Sequence, residues 1–484
     1  MYGNGFCEKN LQMCVCGFDL DHKPMRLGRH CRGMTPEWRK YLFQRAPRYT
    51  SYPSALHFDH SVTREDYADR LSAIELYEPL SLYVHVPFCK RLCWYCGCNM
   101  RVENDYSRAL RYVSALAKEI GMVGRKLAGT GRPRSIHFGG GTPNYLLVDE
   151  IGEILHAIEL EFGLTDDCRL AIELDPRLIR DDDIVRLAAL GFSRMSLGVQ
   201  DFDTDVQLAI NRVQPYEMVE SAVSEMRQAG ISDISFDLLY GLPKQSLPTF
   251  TQTLEKTIAL SPDRIAVFGY AHLPAALPRQ RMIDEDSLPD IMLRAELSAL
   301  ADDALIGAGY RRIGFDHYAK PDNPLTIAER EGRLRRNFQG FTDDLALSTI
   351  GFGASAISSV NGLIVQNEKS LNGYYEFMAA GGLPVVKGLE LTDAEAIIAD
   401  TIQTLLCRGE ANIAALLNRV ALSEAKAVCA RLERLEEDGL ITWLGDVVRI
   451  DPAARLLSRC VAMALDPYEF ANKPAVTNRF ARAV

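Results

Sequence analysis

The stretch SLYVHVPFCKRLCWYCGCNM, Ser81 to Met100, joins a β-rich run to four closely spaced cysteines, Cys89, Cys93, Cys96 and Cys98. Five further β-rich runs follow: SIHF (135–138), RLAIEL (169–174), RMSLGV (194–199), DISFDLLY (233–240) and RIAVFGY (264–270). Each ends in polar or glycine residues. Amphipathic helical stretches lie between them, such as DYSRALRYVSALAKEIGMVGRKL (105–127) and DDDIVRLAALGF (181–192). Strands alternating with helices predict a parallel sheet. Six such units predict an α/β fold built as an incomplete (β/α)6 barrel, with the closed eight-unit barrel as the alternative.

In such sheets the active site lies at the C-terminal ends of the strands. The first run leads into the cysteines and the second into Gly139-Gly140-Gly141-Thr142-Pro143. The third ends at Glu173 and Asp175, and the fourth at Gln200 and Asp201. The fifth carries Asp237 and ends in YGLP, and the sixth ends in YAHLP. Any one of these reads as a turn or a cap. All six on one rim read as a site.

The chain has 484 residues, 47% hydrophobic and 24% charged, with a net charge of −10, which is an ordinary globular composition. The negative charge argues against a non-specific nucleic-acid or anionic-membrane binder. No apolar run is long enough to span a membrane. The first residues lack the basic and apolar segments of a secretory signal. Twelve cysteines in clusters, without such a signal, read as metal ligands kept reduced in the cytoplasm.

The spacing C-x3-C-x2-C-x-C fits an iron–sulfur cluster better than structural zinc. Zinc sites usually pair two separated C-x2-C units, and no second pair lies at the expected distance. In extended chain Cys96 and Cys98 would point to opposite sides. Both are then not expected to grip one cluster, and a cluster with three protein ligands keeps one iron open, as a catalytic metal needs. The C-x3-C-x2-C triplet after a first strand resembles the radical-SAM pattern. That resemblance implies a 4Fe-4S cluster that cleaves S-adenosylmethionine to a 5′-deoxyadenosyl radical. HFGGGTP (137–143) resembles the segment that holds the methionine amino group, its glycines letting backbone approach a ligand.

A narrower resemblance runs from PRYTSYPSA (47–55) to the C-terminus. It is carried by LYVHVPFC, CGCN, HFGGGTPNYL, IELDPR, MSLGVQDF, NRVQ, DLLYGLPKQ, PDRIAVFGYAHLP, DHYAKPDNPL, RNFQGF and GASAIS. These stretches resemble the oxygen-independent coproporphyrinogen III oxidases (coproporphyrinogen dehydrogenases) of haem biosynthesis. The resemblance implies conversion of two propionates of coproporphyrinogen III to vinyl groups, giving protoporphyrinogen IX. It implies Cys89, Cys93 and Cys96 as cluster ligands and two S-adenosylmethionine molecules in one site. Tyr83, Gly140, Glu173 and Ile357 would contact the first. Tyr95, Gly141, Thr142, Gln200, Arg212, Asp237 and Ala271 would contact the second. Tyr83, His85, Glu173, Phe338 and Gln339 are the candidates nearest the chemistry, although a lone strand-end histidine is more often structural. An electron donor and an electron acceptor are implied as partners, and the chain is expected to act as a monomer. The substrate carries four carboxylates around a flat apolar ring, so it calls for basic groups at a rim and apolar walls. Arg48, Arg281 and Arg312 are candidates.

Three regions are expected. Residues 1–46 form an N-terminal extension, poorly ordered over 1–33, with Cys7, Cys14, Cys16 and Cys31 as a remote second metal site and Met34 as an alternative start. Residues 47–365 form the catalytic barrel with its RYTSYP segment. Residues 366–484 form a mostly helical, winged-helix-like domain, where GLITWLGDVVRI (439–450) reads as strand–turn–strand around Gly445-Asp446. That shape also suggests a DNA-binding regulator, but the acidic RLERLEEDG (431–439) favours packing. Relatives that traffic haem keep the triplet. They typically lack the fourth cysteine and RYTSYP, both of which are present here.

Overall fold

The computed structural model describes residues 35–470 apart from 51 and 339. The expectations for residues 1–34 and for Gln339 lie outside the described residues. The six β/α units form in chain order. They comprise β1 (Pro79–Val86), α1 (Ser107–Leu127), β2 (Arg132–Gly140), α2 (Val148–Phe162), β3 (Arg169–Leu174) and α3 (Asp183–Ala189). Next come β4 (Phe192–Gln200), α4 (Tyr216–Gln228), β5 (Asp233–Tyr240), α5 (Leu247–Leu260), β6 (Arg264–Gly269) and α6 (Ile291–Gly307). β1 to β6 are parallel neighbours in that order. β1 is buried from Leu80 to Val86, as a central strand covered on both faces must be. α1 turns Tyr112, Val113, Leu116, Ile120, Val123 and Leu127 inward, the three-to-four spacing that its sequence carried. Each fully buried side chain of this kind contributes on the order of 1.5–3 kcal/mol.

The barrel does not close, and its sheet is wider than six strands. Beyond β6 lie two short antiparallel strands, β7 (Arg311–Ile313) and β8 (His317–Ala319), in the order β6-β8-β7. On the other side of β1 stands β9 (Ser348–Phe352), which is parallel to it. β10 (Ile357–Val360), β11 (Leu363–Asn367) and β12 (Val385–Glu390) then continue the sheet antiparallel, twelve strands in all. The short links between β9, β10 and β11 have no room for a crossover helix, so these strands must reverse. A division at 365/366 would cut β11. The sheet runs on to Glu390, which moves the end of the catalytic unit past the expected boundary.

After the sheet come helices at Asp393–Arg408, Ala414–Arg419 and Leu422–Glu437, then a hairpin of Ile441–Leu444 and Val447–Ile450. Gly445 sits in its turn at φ 58°. Part of the expected N-terminal extension is docked here. Trp38 Nε1 donates to the Asp438 carbonyl at 2.7 Å, Tyr41 Oη to Asp438 Oδ2 at 2.5 Å, and Lys40 pairs with Asp438 at 2.6 Å. No helix among the described residues is long and apolar enough to cross a membrane.

One buried carboxyl ties α1 to the antiparallel half of the sheet. Glu119 accepts from Gly353 N–H at 2.7 Å, Asn367 Nδ2 at 2.7 Å and Tyr374 Oη at 2.6 Å. Burial, opposed by those three donors, pushes its carboxyl up to about 7. The folded state therefore holds this proton more tightly than the unfolded chain does. The resulting stability is complete below the unfolded value of about 4.5 and is lost as pH rises through about 7. Glu119→Gln turns an amide N–H toward a donor and is expected to cost about 1–3 kcal/mol. Urea unfolding of the reconstituted protein should show the gap between variant and wild type narrowing from pH 5 to pH 8. A gap independent of pH would show that Glu119 does not titrate in this window.

Candidate active site

A cavity of about 720 Å³ opens at the C-terminal ends of the parallel strands. The cysteine loop forms one wall, and its backbone is pinned from outside. Trp94 N–H donates to the Ile210 carbonyl at 3.0 Å, and Asn211 Nδ2 to the Leu92 carbonyl at 2.7 Å. Gln280 Nε2 reaches the Tyr95 carbonyl at 2.9 Å, and Arg279 Nη2 the Cys98 carbonyl at 3.0 Å. Cys89, Cys93 and Cys96 line the cavity together with Tyr95.

The glycines after β2 are required by close packing. A Cβ on Gly139 would lie 2.8 Å from Glu173 Oε1. On Gly140, at φ 121°, it would meet the His85 ring at 2.7 Å. On Gly141 it would meet the Phe88 carbonyl at 2.9 Å and Cys89 Sγ at 3.2 Å. Gly140, Gly141 and Thr142 line the cavity, and Thr142 Oγ1 lies 3.2 Å from Cys89 Sγ.

The carboxylates come from β3 and β5. Glu173 Oε1 is 3.0 Å from His137 Nε2, which fixes the carboxylate against the barrel interior. Burial alone would raise Asp175. Arg212 at 3.3 Å and Arg177 at 2.6 Å prevail and hold it at about 2. Asp237 is pushed up to about 7 by burial first and by Glu173 second, against Arg212. Arg212 also donates to the Gly198 carbonyl at 2.7 Å and faces Cys93 Sγ at 3.6 Å. Gln200 follows a bulge in β4 and stands at φ 67°, a costly conformation for a residue with a Cβ that turns the strand end toward the cavity. Gln200, Arg212, Asp237 and Glu173 all line the cavity, as do Ala271, Phe338 and Ile357.

Two expected residues stand elsewhere. Tyr83 and His85 are outside the cavity wall and are buried on the inner face of β1. They share that face because strand side chains alternate. Both His85 ring nitrogens are engaged, Nδ1 with Tyr83 Oη at 3.1 Å and Nε2 with the Asn99 carbonyl at 3.0 Å. The histidine is thus a satisfied structural group beneath the cysteine loop. Tyr83 meets Phe338 edge-on at 4.7 Å, so it supports the wall from behind.

The extended-chain argument for Cys98 also fails. The chain bends at Cys98 and Asn99, so the two sulfurs are neighbours. Cys98 N–H lies 3.4 Å from Cys96 Sγ, and the Cys98 thiol, first, with that amide pulls Cys96 down to about 6. Of the substrate arginine candidates, Arg48 lines the cavity. Arg312 is tied to Asp302 in a different cleft, and Arg281 bonds the Pro274 carbonyl at 3.3 Å. Arg177, which faces Cys93 Sγ at 3.5 Å, was missed by sequence reasoning. Its position two residues after Asp175 was the available signal.

The donor set fits a multi-iron group better than a single ion. Among the described residues no three cysteine, histidine or carboxylate side chains converge on one point. Four cysteines, Cys89, Cys93, Cys96 and Cys98, instead share one cavity wall, as when several thiolates each bind a different iron. The tight glycine backbone beside Cys89 and the cationic Arg177–Arg212 pair beside Cys93 leave a polar cradle next to them, suited to an amino-acid head group.

Residues 83–257 match the Radical SAM superfamily. The oxygen-independent coproporphyrinogen III oxidase of Bradyrhizobium diazoefficiens is 39% identical over 431 residues, spanning 88% of this chain and 96% of that protein. The enzyme of the same name from Escherichia coli is 38% identical over 444 residues, spanning 89% and 96%. The solved structure of the Escherichia coli coproporphyrinogen III oxidase, described as a radical SAM enzyme, superposes with a TM-score of 0.82 at 36% identity. It covers 87% of this chain and 97% of that one.

Proposed function

The chain belongs to the family of oxygen-independent coproporphyrinogen III oxidases, and from that membership we propose that it oxidatively decarboxylates two propionates of coproporphyrinogen III to vinyl groups. The observation that carries this reading is one cavity lined by the four cysteines of the Cys89–Cys98 loop, a glycine turn and the Glu173, Gln200, Arg212 and Asp237 side chains. Cys89, Cys93 and Cys96 would hold a 4Fe-4S cluster, and S-adenosylmethionine bound beside it supplies the radical that removes a hydrogen atom from the propionate β-carbon.

The chain's own residues bind, orient and shield. Gly140, Gly141 and Thr142 offer backbone and hydroxyl groups close to Cys89. Arg212 presents a fixed guanidinium to a carboxylate, with Asp175 holding its position. Glu173, braced by His137, and Asp237 can each hydrogen-bond a ribose hydroxyl. Phe338, Ile357 and Tyr95 give apolar walls that keep water away from a carbon-centred radical. For each propionate, loss of the β-hydrogen atom is followed by cleavage of the bond to the carboxylate. Carbon dioxide leaves, the vinyl group forms, and one electron passes to an acceptor. Two S-adenosylmethionine molecules, a monomeric chain, a cytoplasmic location and a reductant for the cluster complete the reading.

Anaerobically reconstituted protein, given S-adenosylmethionine and dithionite, is expected to convert coproporphyrinogen III to protoporphyrinogen IX, read by chromatography of the oxidised porphyrins. Cleavage of S-adenosylmethionine without decarboxylation would place the substrate wrongly. Tight haem binding with no product would favour a haem-trafficking role.

A further inference from the structure

Beside the main cavity lies a smaller one of about 130 Å³. Arg48, Thr50, Phe268, Gly269 and Phe338 line both, so the small cavity is a side pocket of the large one. It is far smaller than the main cavity, the scale of a side chain rather than of a macrocycle. Three guanidiniums line it, Arg48, Arg336 and Arg459, against a single described carboxylate, Asp316. That carboxylate is already engaged by His317 Nδ1 at 2.6 Å.

Arg336 is the most telling of the three. Its side chain is 4% exposed. Its Nε and Nη1 have no hydrogen-bond partner, and Nη1 is 3.7 Å from Asp316, outside hydrogen-bond range. The guanidinium is held between Phe315 and Phe341, with ring centroids at 4.7 Å and 4.6 Å. Such clamping fixes a cation at little further entropic cost. Arg48 makes only a long contact, 3.5 Å, to the Gly269 carbonyl. Arg48 is itself exposed, yet desolvation by the surrounding wall first, and then Arg459 and Arg336, lower its affinity for its proton. Arg336 is buried, Arg459 half-buried and Arg48 exposed, and like charges gathered this way repel one another unless an anion joins them.

We propose that this side pocket, built from Arg48, Arg336 and Arg459 of the region after the sheet, receives one propionate carboxylate of the porphyrinogen substrate. The inference rests on the proposed function. It adds that the anchor of the ring lies partly on the C-terminal helix Ser458–Ala464. Phe338 lines both cavities, so a carboxylate seated in the side pocket leaves the main cavity to another propionate.

Coproporphyrin III, the stable oxidised ring with the same propionates, is titrated into reconstituted full-length protein and followed by its fluorescence. Arg48→Gln and Arg459→Gln are each expected to raise Kd about fivefold or more, the loss of one charge-assisted hydrogen bond. Arg134→Gln, which removes a distant surface charge, serves as the control. Melting curves establish that each variant is folded, and the two arginine positions are read independently. The tetramethyl ester of the porphyrin should bind wild type and variants alike. A smaller rise in Kd at both positions overturns the proposal, as does an equal loss with the ester. If S-adenosylmethionine binding, read by dialysis, weakens by the same factor, the pocket holds the methionine carboxylate and the proposal also fails. Porphyrin binding needs no turnover, so the pocket can fail while the wild-type enzyme still converts its substrate. A wild type that converts nothing refutes the enzymatic reading instead.

Discussion

Cys93→Ala is expected to lose the cluster and, with it, all conversion of coproporphyrinogen III, while Cys98→Ser keeps its iron. Cys93 is buried, lines the cavity and is approached by two guanidiniums, Arg177 at 3.5 Å and Arg212 at 3.6 Å. With three protein ligands holding the cluster, removing one leaves two corners open, and loaded iron should fall to background. Iron analysis and the visible absorption of reconstituted protein measure this directly. Cys98 is the sharper test. Its thiol and amide bond Cys96 Sγ, so the structure puts it close enough to compete for iron. Serine can still donate to Cys96, so the cluster should form. Iron loss in Cys98→Ser would make this residue a ligand and remove the open position on which the chemistry depends.

Arg212→Ala is expected to weaken S-adenosylmethionine binding roughly 10–100-fold, the worth of about 1.5–3 kcal/mol for a charged hydrogen bond. Its side chain is buried between the Gly198 carbonyl, Asp175 and Cys93, so its position is set before any ligand arrives. If two molecules share the site, dialysis of cluster-replete protein should find two equivalents in wild type and one in Arg212→Ala. Arg212→Lys restores charge without the two-pronged geometry and should recover only part of the affinity. Unchanged stoichiometry and affinity would mean that Arg212 serves Asp175 and the loop rather than a ligand.

The parts read correctly from the sequence share a local origin. Six strand–helix units were legible because period-two and helical patterns are written into neighbouring residues. Their C-terminal ends could be aligned on one rim because a parallel sheet with crossover helices leaves no other choice. The cysteine spacing, the triple glycine and the carboxylates at strand ends are likewise features of single segments.

The parts read wrongly depend on residues distant in the chain. The added strands β9 to β12 escaped notice because they are short, only β11 and β12 have a helix between them, and they acquire their order by pairing with β1 and one another. The structural reading of a strand-end histidine holds for His85, whose ring is engaged by Tyr83, two residues away on the same strand face, and by the Asn99 carbonyl. Arg312 and Arg48 looked alike as lone arginines. Their neutralising partners decide between them: Asp302 is bound to the first, while the second shares a pocket with two further cations.

The sequence by itself determined the β/α order, the cysteine triplet and the residue types on the catalytic rim, because each is encoded in the pattern of a short segment. Tertiary structure alone decided which side chains face the cavity, that Cys98 leans on Cys96, and that Arg48, Arg336 and Arg459 meet. The first and last depend on burial and charge pairing between segments far apart in the chain, and the Cys96–Cys98 contact on a bend of the cysteine loop, and no local pattern of residue types records them.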